Sequence, residues 1–139
     1  GNPYGEPWNA EIVINWVKRL VQKGIKIIAL ADTIGKSNPE NITHLFSNLI
    51  PEFPEIKFGA HLHSSPDNWK EKIIASEKSG CLRFDSALKG IGGCPMADNQ
   101  LVGNLATENV VDYFGGPSAI GLNPKALNES LIIANEIFH

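Results

Sequence analysis

The chain has 139 residues, 42% of them hydrophobic and 19% charged, with a formal net charge of -3. That is apolar material enough for one compact core. The 12 Lys and Arg residues are scattered without a basic run, which argues against a nucleic-acid surface, and apolar runs such as IIALA and LIIA are far too short to span a bilayer. Two cysteines make no disulfide framework, so a reducing compartment is expected, and no signal peptide is read. The opening GNPYGEPW has neither a Met nor an apolar lead-in, and the beginning of the protein is expected to be missing.

An opening helix is predicted over about Ala10 to Lys23, with Asn9 as cap and Gly24 as stop. Ile12, Trp16 and Leu20 recur every four residues, with Val13, Val17 and Val21 beside them, as a broad apolar stripe. IKIIALAD then reads as a strand buried on both faces. KSNPENITHLFSNLIP reads as a helix capped by Asn38, with Pro39 in its first turn and Pro51 as its stop; Ile42, Leu45, Phe46 and Leu49 make its core face. IKFGAHLHSS is a second strand. The helix after it is capped by Asp67, runs through about Lys78 and ends at Gly80. CLRFDSA reads as a third strand that runs into a glycine-rich loop. Thr107 caps a short helix through Tyr113, and Asn123 and Pro124 open the last helix. Strands alternating with helices imply βαβ units on a parallel sheet. A barrel needs roughly 250 residues, so three strands make either a small open sheet or the second part of a barrel.

Each strand ends in polar groups: Asp32 and Thr33, His61 and His63, Asp85 and Ser86. Such strand ends are where α/β barrels and doubly wound sheets place their sites. Residues two apart on a strand share a face, so His61 and His63 project together, roughly 6 to 7 Å apart at the backbone. Both imidazoles can then reach one divalent cation, or each can be satisfied by hydrogen bonds alone. Asp32 either caps its own turn or acts as a catalytic residue that orients a ligand or accepts a substrate hydrogen bond. Asn104, after Gly103, offers a neutral oxygen to a hard cation or simply makes a turn. Cys94 sits in GIGGCPMADNQLVGN, among four glycines, where a thiol can move, meet solvent and take part in proton transfer. Cys81 is read as packing, and Trp8, Trp16 and Trp69 as scaffold. His44 and His139 receive no role.

In order along the chain, GNPYGEPW, ADTIG, GAHLHS, FDSALKGIGGCP and GNLATENVV together resemble the hydroxymethylglutaryl-CoA lyase family. The pairing of GIGGCP with GNLATE is the most specific part. It separates the lyases from related acyltransferases, which share the HxH strand but not this cysteine loop. The resemblance implies a (β/α)8 barrel of which this chain is the C-terminal part, residues 1–139, with about three parallel βα units and the early strands absent. It implies a divalent cation, Mg²⁺ or Mn²⁺, and cleavage of hydroxymethylglutaryl-CoA to acetyl-CoA and acetoacetate, as in leucine degradation and ketone body metabolism. By position, His61, His63 and Asn104 resemble metal ligands, Cys94 the catalytic cysteine of a mobile loop, and Asp32 with Thr33 the polar pair of the preceding strand.

Two departures stand out. Ser64 and Ser65 replace the Asp-Thr that often follows HxH, which weakens the expected support behind the ligands. The stretch PMADNQLVGN is slightly longer than the commonest family loop. The alternatives are an acyltransferase that runs a Claisen condensation, as isopropylmalate and homocitrate synthases do, and a non-catalytic α/β fragment. The expected partners are an acyl-CoA substrate and, in the full-length protein, a second copy or more of itself, with neither nucleic acid nor membrane. The expected place is a bacterial cytoplasm or a mitochondrial matrix.

Overall fold

A computed structural model describes residues 4–93 and 102–138. Helix α1 (Ala10–Gln22) leads to strand β1 (Ile27–Asp32), helix α2 (Pro39–Glu52), strand β2 (Lys57–Ser64) and helix α3 (Trp69–Lys78). A short strand β3 (Gly103–Asn104) then precedes helices α4 (Thr107–Tyr113) and α5 (Pro124–Ile137). The caps explain most of these boundaries. The side-chain oxygens of Asn9, Asn38 and Asn123 each accept a backbone N–H of the first turn that follows. In α2 the cap is reciprocal, with Asn41 bonding back to the Asn38 amide.

β1 and β2 are parallel, in a register that pairs Ala31 with His61 and Asp32 with Leu62. β3 runs antiparallel to β2, pairing His63 with Asn104. The helices cover one face of the sheet. On that side Ile28, Phe58, Ala60 and Leu62 are buried against Ile42, Phe46, Leu49 and Ile73. The other face is open on β1, where Ile27, Ala29 and Ala31 are exposed. IKIIALAD is thus half-buried rather than buried on both faces. A closed barrel fills its interior with side chains from all its strands, and three strands supply no opposite wall.

Five further expectations are revised. Thr107 is the first residue of α4 rather than its cap, which is Ala106 and makes no side-chain cap bond. CLRFDSA forms two isolated parallel bridges, Ala60 to Phe84 and Ala87 to Ala106, rather than a regular strand. It is held by Ala60 N–H to the Arg83 carbonyl at 2.9 Å and Asp85 N–H to the Ala60 carbonyl at 3.0 Å. The third strand is instead β3, two residues long. The cap of α3 is Asn68, not Asp67, and its oxygen accepts the Ser65 amide behind it. Pro51 lies inside the last turn of α2, which runs one residue further. On α1 the residues facing the core are Val13, Val17 and Val21, while Ile12, Trp16 and Leu20 are exposed, with the Arg19 guanidinium 4.8 Å above the Trp16 ring. Cys81 is buried as expected. Among the described residues no helix is long and apolar enough to cross a membrane.

Candidate active site at the strand ends

Alternation along β2 puts His61 and His63 on the open face of the sheet, with ring centroids 5.4 Å apart. His63 is buried and His61 is half-exposed. The Nδ1 of His63 lies 2.7 Å from the backbone carbonyl of Asp32. A carbonyl can only accept, so Nδ1 carries a proton, and in the neutral ring Nε2 then keeps the lone pair that a ligating imidazole requires. The Nδ1 of His61 lies 3.4 Å from Asp85 Oδ2, and Asp85 is held in turn by Arg83 Nη2 at 2.9 Å. Arg83 reaches this position across Gly59, where a Cβ would come within 2.4 Å of its Nη1.

Asn104 stands opposite His63 as its cross-strand partner, which brings the two side chains close on one face. Its amide nitrogen donates to the carbonyls of Ile91, at 2.8 Å, and Gly92, at 3.3 Å. The side-chain oxygen is thereby turned the other way. The Asn104 backbone amide also donates to the Gly92 carbonyl, at 2.9 Å. This double attachment explains the glycines better than flexibility does. A Cβ on Gly103 would lie 2.5 Å from the Gly90 carbonyl oxygen, and one on Gly90 would lie 2.8 Å from that of Asn104. The two arms of the loop approach closely because no side chain separates them. Cys94, two residues beyond Gly92, lies outside the described residues.

Asp32 goes elsewhere. Its side chain sits on the helix side of β1, in register with Leu62, and lines a cavity of about 290 Å³ with Leu30, Phe46 and Trp8. Its Oδ2 accepts the Ser37 amide at 2.9 Å, the Ser37 hydroxyl, and the Lys72 ammonium at 3.1 Å. Burial pushes the Asp32 carboxyl up, but Ser37 and Lys72 outweigh that push and hold it below its ordinary range. The structure therefore brings His61, His63 and Asn104 together and joins Asp32 to them only through its backbone carbonyl. Sequence reasoning missed Lys72 and Arg83. Lysine on a helix and arginine near a strand end read as solvated charges, and no local pattern marks either as buried or bridging. A cleft of about 270 Å³, lined by Ser64, Trp69, Lys89, Asn104 and Glu108, adjoins the Asn104 amide.

Two imidazoles with Nδ1 turned to acceptors, beside one amide oxygen, suit a divalent cation as part of its shell. Among the described residues no group of three or more His, Cys, Asp or Glu side chains gathers around one point. An anionic ligand would have to come from elsewhere. The fold and the site define the class: a portion of an α/β barrel that carries polar, metal-competent side chains at the C-terminal ends of its strands. Residues 5–116 match the HMGL-like family, and the chain belongs to it.

The chain is 32% identical over 130 residues to the (R)-citramalyl-CoA lyase of Chloroflexus aurantiacus, covering 88% of this chain and 41% of that protein. The hydroxymethylglutaryl-CoA lyase structure from Pseudomonas aeruginosa superposes on all of this chain and 47% of its own length, at 29% identity with a TM-score of 0.85. The HMG-CoA lyase from Acinetobacter baumannii, solved with coenzyme A and 3-methylmalate, covers 91% of this chain and 42% of its own, at 30% identity with a TM-score of 0.75. The chain thus spans less than half the length of each of these relatives, and its fold is that of part of the family's barrel.

Proposed function

We propose that these residues are the C-terminal part of the catalytic barrel of a divalent-cation-dependent carbon–carbon lyase acting on a 3-hydroxyacyl-CoA, with hydroxymethylglutaryl-CoA as substrate and acetyl-CoA and acetoacetate as products. The observation that carries this reading is the convergence of His61, His63 and Asn104 at the strand ends, with the His63 Nε2 left as a lone-pair donor. The lyases among the relatives support the reaction class, and a relative solved with coenzyme A supports the substrate class.

His61, His63 and Asn104 would hold the cation, Mg²⁺ or Mn²⁺, with an anionic ligand from a strand outside this set. The cation supplies Lewis-acid polarisation of the substrate's tertiary hydroxyl and carbonyl. The chain's own residues do the rest. Asp85, held by Arg83, orients the His61 ring. The Asp32 carbonyl orients the His63 ring. The Gly90–Gly92 arm, which precedes Cys94 in the chain, is pinned to Asn104 at the strand ends. As the hydroxyl proton passes to a base, the carbon–carbon bond breaks and its electron pair stays on the acetyl thioester carbon. The Cys94 thiol takes part in the proton transfer that quenches that carbon, and closure of the loop keeps water out. The site belongs in a reducing compartment, where Cys94 stays a thiol.

The (R)-citramalyl-CoA lyase relative favours a second reading within the same chemistry, with citramalyl-CoA as substrate. The full-length protein should be assayed with hydroxymethylglutaryl-CoA, with citramalyl-CoA, and with acetyl-CoA plus a 2-oxo acid, each with and without a chelator. The proposal expects chelator-sensitive acetoacetate from the first. Turnover confined to the second would move the substrate. Turnover confined to the third would make the protein a condensing acyltransferase and refute the lyase.

A further inference from the structure

Lys72 lies on α3 with its side chain fully buried. Its ammonium donates to Asp32 Oδ2 at 3.1 Å, to the Gly35 carbonyl at 3.0 Å and to the His63 carbonyl at 2.7 Å. The three acceptors come from the end of β1, the turn after it and the end of β2. An ammonium removed from water is costly unless its protons are all taken up, and here three N–H groups meet three oxygens. The bonds also close a ring. Lys72 holds the His63 carbonyl, the His63 imidazole donates to the Asp32 carbonyl, and the Asp32 carboxylate returns to Lys72. Both partners of the bond that sets the His63 ring are therefore carried by residues that Lys72 grips.

We propose that Lys72 is a positioning residue for the candidate cation site, locking β1 and β2 at their ends so that the His63 ring keeps Nδ1 on the Asp32 carbonyl and Nε2 toward the cation. Its cation arm rests on the function proposed above; its histidine geometry does not. Lys72 braces the ligand strand from the helix side, directly behind the stretch where Ser64 and Ser65 stand.

The test compares three versions of the full-length protein. Lys72→Met alone strands the Asp32 charge in the core and is expected to fold poorly. The decisive variant is therefore Asp32→Asn with Lys72→Met, which leaves no charge unpaired. Ile73→Ala, at the fully buried neighbouring position on α3, serves as a packing control. Two quantities are read: Mn²⁺ affinity by electron paramagnetic resonance, and the His63 tautomer by ¹⁵N NMR of the cation-free protein. The double variant should bind Mn²⁺ about 10- to 100-fold more weakly, as loss of groups supporting metal ligands typically does. Its His63 should lose the single Nδ1–H tautomer, while Ile73→Ala should melt lower and keep both properties. An unchanged tautomer or unchanged Mn²⁺ affinity in the double variant overturns the proposal, and so does an equal loss in Ile73→Ala. If the unaltered protein binds no Mn²⁺, the cation reading fails, and the tautomer alone decides: its loss in the double variant upholds the brace, its persistence removes it.

Discussion

Gly103→Ala probes the link between the cysteine loop and Asn104. The φ angle at Gly103 is open to any residue, so no dihedral strain enters. The effect comes from contact alone: a Cβ would sit 2.5 Å from the Gly90 carbonyl oxygen and 3.2 Å from that of Gly92, both backbone atoms that cannot swing aside. Ordinary contact begins near 3.4 Å, so roughly 0.9 Å of separation must be created between the arms. Overpacking of this kind costs about 1–3 kcal/mol, and a displacement of about 1 Å at a site can cost on the order of 100-fold in rate. The control is Gly24→Ala. There φ is +84° and nothing lies within 4 Å, so left-handed strain of about 1–2 kcal/mol is paid far from the site. Both variants should lower the melting temperature of the full-length protein. In the lyase assay only Gly103→Ala should lose turnover, by about 100-fold. Equal turnover in the two variants would refute the claim that the glycines position Asn104 and the arm leading to Cys94.

Further outcomes are expected. His61→Ala or His63→Ala should weaken cation binding and turnover together, while Cys94→Ala should lower turnover with cation affinity largely intact; a cation titration separates the two. Asp32 should make stability acid-sensitive. Its carboxyl is held below the ordinary value in the folded state, so its contribution is present above about pH 4, the unfolded value, and is lost as pH falls through the lower folded value. Urea melts between pH 2 and 6 should show that loss, and Asp32→Asn should flatten it. Burial pushes the Cys81 thiol up, so iodoacetamide at pH 8 should leave Cys81 unmodified until the chain is unfolded. Residues 1–139 purified alone should associate in light scattering and lack lyase turnover, because the open face of β1 and the exposed edges seek partners; a compact, active monomer would contradict this.

The sequence announced features whose cause is local. Period-two spacing placed His61 and His63 on one face, and Asn caps with Pro in the first turn fixed the starts of α2 and α5. Features set by distant contacts were hidden. β3 is too short to leave a hydrophobic pattern; it pairs with the end of β2, and Gly103 leaves room for the Gly90 arm against its backbone. CLRFDSA has strand composition but gains only two isolated bridges, at Phe84 and Ala87. Lys72 reads as a solvent-facing helix residue. Its burial depends on oxygens from Asp32, Gly35 and His63, which lie between 9 and 40 residues away. Asp32 reads as catalytic because it ends a strand, yet alternation along β1 places its side chain on the helix side, beside Ser37 and Lys72.

Whether His61 and His63 hold the cation can be read by pulsed electron paramagnetic resonance of Mn²⁺ bound to the full-length protein, through its nitrogen couplings. Two imidazole nitrogens should couple to the ion, one lost in His61→Ala and the other in His63→Ala. A bound ion with no nitrogen coupling, or one whose couplings survive both substitutions, would place the cation elsewhere and contradict that assignment.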